Sequence, residues 1–261
     1  MPRFKLTIEY AGTRYSGWQI QKNAKTVQGH IDEAARTVTG RKDFELYGAG
    51  RTDAGVHAAG QVAHLDVSTN LPPDTLRKRL NDELPADISI LDAVVVPHRF
   101  HARHDAVARR YLYQLATRRT AFAKPYVWWI KDSLDLARMR ATAATFVGMH
   151  DFASFAAADK DQEDASSQVL LERFEMSYDG PLVLIAVEGS HFLWKMVRRL
   201  VGVLVAVGIG EMEAHAATKL LTEASGLPAR LTAPASGLFL ERVFYKGDPR
   251  DSALRAITPL R

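Results

Sequence analysis

The sequence predicts an α+β chain built as two split βαβ, ferredoxin-like halves, and three observations lead there. Residues 3–10 alternate, with Phe4, Leu6, Ile8 and Tyr10 on one face, the period of a half-buried strand. From Thr26 the apolar residues Val27, Ile31, Ala34, Ala35 and Val38 recur at helical spacing, with Thr26 as cap and Gly40 as stop. The first third then reads β-α-β-β-α-β, and a similar order of elements returns in the second half without a short-period sequence repeat.

Each element has its own signal. A Gly- and Ser-bearing loop runs from Ala11 to Trp18, and strands are expected near 44–49 and 61–67. A helix opening with Pro and Asp is expected from Pro73 to Leu84, and a strand over 87–96. The second half carries strand-like segments at 108–116, 170–178 and 182–188, helices at 134–147, 192–208 and 213–223, and a last strand at 238–245. Ala156 to Ser167 is polar and small and reads as a mobile loop, not a domain linker. The residue balance shifts most near 100–107, so the expected domains are 1–105 and 106–261.

Composition narrows the function. With 261 residues, 47% hydrophobic and 25% charged, the chain is ordinary in make-up and long enough to bury a core without staples. There is no cysteine, which excludes disulfides, thiolate nucleophiles, zinc knuckles and iron–sulfur clusters. The first residues show no apolar run like a signal sequence, and the longest apolar stretch, Leu200 to Ile209, is too short to span a bilayer. A cytoplasmic protein with no membrane partner is the expectation. Net charge is +4, a modest surplus favouring an anionic partner. Arg99, Arg103, Arg109, Arg110, Arg118 and Arg119 crowd one segment with His98, His101, His104, Tyr111 and Tyr113. Cations interleaved with rings suit an RNA surface, and equally a solvated strand pair.

The chemistry concentrates at Gly48-Ala-Gly-Arg-Thr-Asp-Ala-Gly-Val-His-Ala58. Three glycines in eight residues at a strand end let the backbone take unusual conformations and let a ligand come close. A tight turn whose Asp caps neighbouring amides would look similar. The motif is no P-loop, because Gly-Lys-Ser/Thr is missing. His98, His101 and His104 have i, i+3 spacing, but in a segment read as extended after Pro97 His101 points away from the other two, which disfavours a metal site.

The 48–58 motif resembles the signature of the bacterial tRNA pseudouridine synthase A family. Tyr10 to Gln19 and Thr26-Val-Gln28 resemble that family's opening. Leu80-Asn81, Leu84-Pro85, Phe100-His-Ala-Arg103, Arg110-Tyr-Leu-Tyr113, Asp151 to Phe155, Phe192 to Arg198 and Gly237 to Leu240 follow in its order. The resemblance spans roughly residues 4–245 and departs at Ser167-Gln168-Val169, where the family usually carries a basic residue. Lys246 to Arg261 match nothing.

The resemblance implies two halves with antiparallel sheets joined around a central catalytic cleft, helices outside, and a homodimer. It implies that uridines of the tRNA anticodon stem-loop, at tRNA positions 38, 39 and 40, become pseudouridine. That reaction breaks N1–C1′, turns the base and rejoins it through C5, so it needs no cofactor and no metal. It does need a nucleophile, by resemblance Asp53, attacking C6 or assisting at C1′. A carboxylate shielded from water needs a nearby cation to stay ionised, and Arg198 matches the family's active-site arginine. By helical periodicity Arg198 sits one position past the apolar stripe Leu193, Val197, Val201 and Leu204, in the column of Trp194 and Gly202; a surface arginine would sit there too. Tyr111 matches the active-site tyrosine that stacks on the base and handles a proton, with Tyr113 on the same strand face as the alternative. Arg51, Arg103 and Arg110, with Tyr111, are the substrate-binding candidates, and His57 is left without a role. The same chemistry on another RNA, and a non-catalytic RNA-binding protein, stay open as alternatives.

Overall fold

The computed structural model describes residues 1–158, 166–250 and 253–260, so most of the loop read at 156–167 lies outside the described residues. The chain has an α+β fold in two compact units, Met1–Val107 with Phe239–Arg250, and Ala108–Leu238 with Asp251–Arg261.

In the first unit the elements are β1 (Arg3–Tyr10), α1 (Val27–Thr39), β2 (Glu45–Gly48), β3 (His57–Asp66), α2 (Pro73–Glu83) and β4 (Ile88–Val96), the order expected. β1 runs antiparallel to both β3 and β4, and β2 lies antiparallel on the outer edge of β3. The sheet order β4-β1-β3-β2 is that of a split βαβ unit. Local chemistry sets the ends of α1. The Thr26 hydroxyl accepts the Gly29 N–H at 3.2 Å, and Gly40 at φ 66° turns the chain left-handed. Asn81 fastens α2 to β4, its amide donating to Ile90 O at 2.9 Å while its oxygen accepts Ile90 N–H at 2.7 Å.

The second unit contains β5 (Ala106–Ala116), β6 (Trp128–Trp129), α3 (Leu136–Thr145), β7 (Gly148–Asp151), β8 (Gln168–Asp179), β9 (Leu182–Gly189), α4 (Met196–Gly208), α5 (Ala214–Lys219) and α6 (Leu227–Arg230). Its sheet runs β5-β9-β8-β7, each pair antiparallel, with β6 parallel to the end of β5. The run β5-β9-β8 repeats β1-β3-β2 of the first half. β6, β7 and α6 have at most four residues each, too few to display a period. A last strand, β10 (Leu238–Tyr245), pairs in parallel with the start of β3, Phe239 beside His57.

Four expectations need correcting. β3 starts at His57, not at 61, because Gly60 has no side chain to hold off the β10 backbone; a Cβ there would lie 2.6 Å from Glu241 O. The helix expected from 192 starts at Met196, because Lys195 sits at φ 62°, a left-handed conformation that no right-handed helix continues through. The helix at 213–223 ends at Lys219. The segment 98–104 is turned, not extended, with Phe100 N–H on Pro97 O and Asp105 N–H on His101 O. The rings of His101 and His104 therefore meet, 4.2 Å apart, instead of pointing to opposite sides.

Beneath that turn Arg3 grips Asp66 through two hydrogen bonds, 2.6 and 2.5 Å, and donates a third to Phe100 O. His64 lies beside them, buried, its Nδ1 accepting the Ala102 N–H at 3.2 Å. Burial, and then the charge of Arg3 and the neighbour His101, push His64 down to about 4. Its sign is definite. Between pH 6.5 and about 4 the unfolded chain takes up a proton that folded His64 refuses, so this contribution to stability is full above 6.5 and lost as pH falls. Urea unfolding midpoints should drop across that window, and His64→Asn, which keeps an acceptor for Ala102 without a titrating ring, should flatten the drop.

Candidate active site

Asp53 sits in the loop between β2 and β3, half-buried, and the segment that follows β1 clasps that loop. The Tyr10 hydroxyl shares a 2.8 Å hydrogen bond with Thr52 Oγ1, and the Trp18 N–H donates to Thr52 O at 3.1 Å. Gly55 N–H donates to Tyr15 O at 3.2 Å, and Gly12 N–H to His57 Nδ1 at 3.0 Å. The approach is close enough to demand glycine. A Cβ at Gly12 would lie 1.8 Å from Val56 O, and one at Gly17, itself at φ 91°, would lie 2.4 Å from Thr52 O. Inside the loop, Val56 N–H closes a turn onto Asp53 O at 3.1 Å, with Gly55 at φ 78°.

A second layer holds the clasp. Val27 and Gln28 donate their backbone N–H groups to Gly17 O and Trp18 O. The Gln28 amide bridges Ile20 N–H and Leu46 O, tying the clasp to β2. At the outer end Asp87 accepts from the Tyr15 hydroxyl at 2.5 Å and from Arg14. Partial burial works against the Asp87 anion, but these donors outweigh it and hold the carboxyl below its ordinary value. The two sequence blocks 10–19 and 48–58 are thus one structural device. His57 gains a part in it: 1% exposed, it stacks on Phe239 with ring centres 4.8 Å apart while Nδ1 anchors Gly12.

The remaining candidates are distributed between the units. Arg51 is exposed, two residues from Asp53, and Arg103 is half-buried in the 97–105 turn of the same unit. Tyr111, Arg110 and Arg198 belong to the second unit. On β5, Tyr111 and Tyr113 share a face but not an environment. Tyr113 is completely buried and gives its hydroxyl to Pro234 O at 2.8 Å; desolvation raises its pKa, against the pull of Arg198. Tyr111 is half-buried, its ring set edge-on to Phe192 at 5.1 Å.

Arg110 projects from the other face of β5 and is 2% exposed. It pairs with Glu188, directly opposite on β9 and 1% exposed, at 2.7 Å. Arg110 is thus enclosed with Glu188 and shielded from solvent. Arg198 is half-buried in the first turn of α4, and its Nε donates to Ala233 O at 2.8 Å while its own carbonyl accepts Ala233 N–H at 3.0 Å. One turn on, Gly202 admits the same segment; a Cβ there would lie 1.6 Å from Leu231 O. The Arg198–Gly202 column read from the sequence therefore packs against backbone. Among the described residues, no three His, Asp or Glu side chains converge to hold a metal ion.

Comparison with known proteins points one way. The family described as tRNA pseudouridine synthase matches residues 6–105 and 142–246. A tRNA pseudouridine synthase A of Geotalea uraniireducens is 42% identical over 249 residues, covering 94% of this chain and all of that one. The protein of the same name from Rhodopseudomonas palustris is 40% identical over 249 residues, with the same coverage. Among solved structures a Cbf5-Nop10-Gar1 complex aligns with 77% of this chain at 8% identity and a TM-score of 0.34, and this chain spans 54% of its matched chain.

The clasp makes a prediction about its glycines. Gly12→Ala should cost about 1–3 kcal/mol through forced displacement of backbone. Gly50→Ala, whose added Cβ meets nothing within 4 Å, should unfold in urea close to wild type. Equal midpoints for the two variants would show that the close approach does not hold the loop.

Proposed function

Because the chain belongs to the tRNA pseudouridine synthase family, we propose that it acts on uridines of the tRNA anticodon stem-loop, with Asp53 as the nucleophile. The family reaction, uridine to pseudouridine in tRNA, makes the protein an isomerase, and the alternative of a non-catalytic RNA-binding protein falls away. The observation that carries the Asp53 assignment is the clasp. Four hydrogen bonds and two glycine-dependent approaches fix both flanks of one half-buried carboxylate, more restraint than a capping turn requires.

In this reading Asp53 attacks C6 of the uracil, or assists at C1′, as the N1–C1′ bond breaks. The freed base turns and bonds to C1′ through C5, and whichever bond Asp53 has made to C6 or C1′ breaks to return the carboxylate; the proton lost from C5 and the one gained at N1 balance, so no cofactor enters. Arg198 keeps the carboxylate ionised, and the fixing of its Nε on Ala233 O supports such a role because it orients the rest of the guanidinium. The contrast between the two β5 tyrosines favours Tyr111 for stacking and proton handling, since the Tyr113 hydroxyl is already spent on Pro234. Arg51 and Arg103 are proposed to contact the RNA. Arg110, enclosed with Glu188, is proposed to serve the substrate indirectly, by fixing the strand that presents Tyr111. A homodimer and a cytoplasmic location belong to the same proposal; among the described residues no helix is long and apolar enough to cross a membrane.

Carbodiimide treatment and primer extension on unmodified tRNA transcripts, with no cofactor added, test the proposal. Wild-type protein should convert anticodon stem-loop uridines, and conversion elsewhere would favour the same chemistry on another target. Asp53→Asn should bind tRNA within a few-fold of wild type and yield no pseudouridine; turnover near wild type would remove Asp53 from its role. Arg198→Ala should lose most activity, and an unchanged rate across the working pH range would break the proposed pairing.

A further inference from the structure

We propose that residues 117–131 of the second unit form an additional RNA-contact surface, one that grips tRNA away from the nucleotide being isomerised. The proposal rests on tRNA being the substrate and adds a place where it is held.

The charge pattern is the first observation. From Ala106 to Lys131 there are six basic residues and no Asp or Glu. Arg110 is enclosed with Glu188, and Arg109 donates to Ser190 O at 2.8 Å. Arg118, Arg119, Lys124 and Lys131 are exposed. The second observation is aromatic. Phe122 is 97% exposed, and Trp129 is exposed with the Arg119 guanidinium 5.9 Å from its ring centre.

The third observation is that this exposure is imposed by the fold. Ala123, next to Phe122, is buried with Val127 in a cluster containing Leu112, Ala116, Leu182 and Leu184. Tyr126 N–H closes a turn onto Ala123 O at 2.8 Å, and β6 pairs with the end of β5. Ala123 and Val127, which follow Phe122, sink into the core while the Phe122 ring stays outside it. An outward ring among cations is the combination that stacks on a base while arginines meet phosphates. Protein interfaces also gather aromatics and arginine but deplete lysine, and here Lys124 and Lys131 are both exposed in the same segment.

Position separates this surface from Tyr111. Trp129 pairs with Ala116, five residues beyond Tyr111 on β5, about 16 Å along a strand. A single flipped nucleotide does not reach both, but a folded RNA does.

Fluorescence anisotropy with a labelled tRNA transcript, repeated over a salt series, tests the proposal. Phe122→Ala and Phe122→Leu should each weaken binding about ten-fold, while Phe122→Trp should stay near wild type, because stacking needs a ring and not merely an apolar group. An R118Q/R119Q double variant should lower the slope of log affinity against log salt by about 1–2. Thermal melts should be unchanged, since these side chains lie outside the core, and sedimentation should match wild type. Wild-type affinity in Phe122→Ala, wild-type affinity in Phe122→Leu, or an unaltered salt slope in the double variant would overturn the proposal. So would a shift in sedimentation on losing Phe122, which would mark the ring as a contact with a second copy. Because binding and not turnover is read, a protein that binds tRNA through this surface yet makes no pseudouridine would defeat the proposed function alone.

Discussion

Everything proposed for Asp53 depends on how near two stretches of backbone can come. The Thr52 and Val56 carbonyls lie where side chains at positions 12 and 17 would otherwise be, so the loop bearing the carboxylate is held only because both positions are glycine. That closeness brings the Trp18, Gly55 and Gly12 N–H groups within hydrogen-bonding range, and it seats the Tyr10 hydroxyl on Thr52. A short acidic side chain has few torsions of its own. Once its backbone is fixed on both flanks, the volume its oxygens sample is small, which an in-line attack requires.

The second unit encloses one pair of opposite charges. Arg110 and Glu188 face each other across β5 and β9, both almost wholly shielded. Such a pair contributes little net stability, since desolvating two ions offsets much of their attraction, but removing either partner strands the other. Its consequence is geometric. The pair holds one face of β5 in register beside β9, while the opposite face carries Tyr113 completely buried and Tyr111 half-buried against Phe192. Two tyrosines with the same side-chain chemistry are thereby given different surroundings by two residues of strand.

The end of the chain also acquires a place. Leu254, Ala256, Ile257 and Leu260 pack on the apolar cluster beneath Ala123 and Val127. Buried Gln114 latches them, its oxygen accepting Ile257 N–H at 2.8 Å and its amide donating to Thr258 Oγ1 at 2.7 Å and to Tyr126 O at 3.0 Å. One side chain thus joins the tail to the segment that leads from the Phe122 loop into β6. The tail covers what would otherwise be an exposed sheet face, a role that matches no motif because it needs only apolar groups at suitable intervals.

Local rules made much of this protein readable from its residues. The ends of α1 follow from Thr26 and Gly40, β1 from its alternation, and the order β-α-β-β-α-β from turn and helix signals in series, since each is settled by neighbours within a few positions. The 48–58 motif carried the family and the acid at its centre. Tertiary structure alone decided that His57 anchors the Gly12 N–H, that Arg110 pairs with Glu188, and that Tyr113 is enclosed while Tyr111 is half-buried. It also decided that the 98–104 segment is turned, and that β10 lies along β3. The 98–104 turn is closed by bonds three and four residues apart; each of the others depends on a partner between about 45 and 180 positions away, or on a Cβ that is missing where another backbone passes. No periodicity reports such partners, because burial and pairing are properties of the folded arrangement and not of the residue that undergoes them.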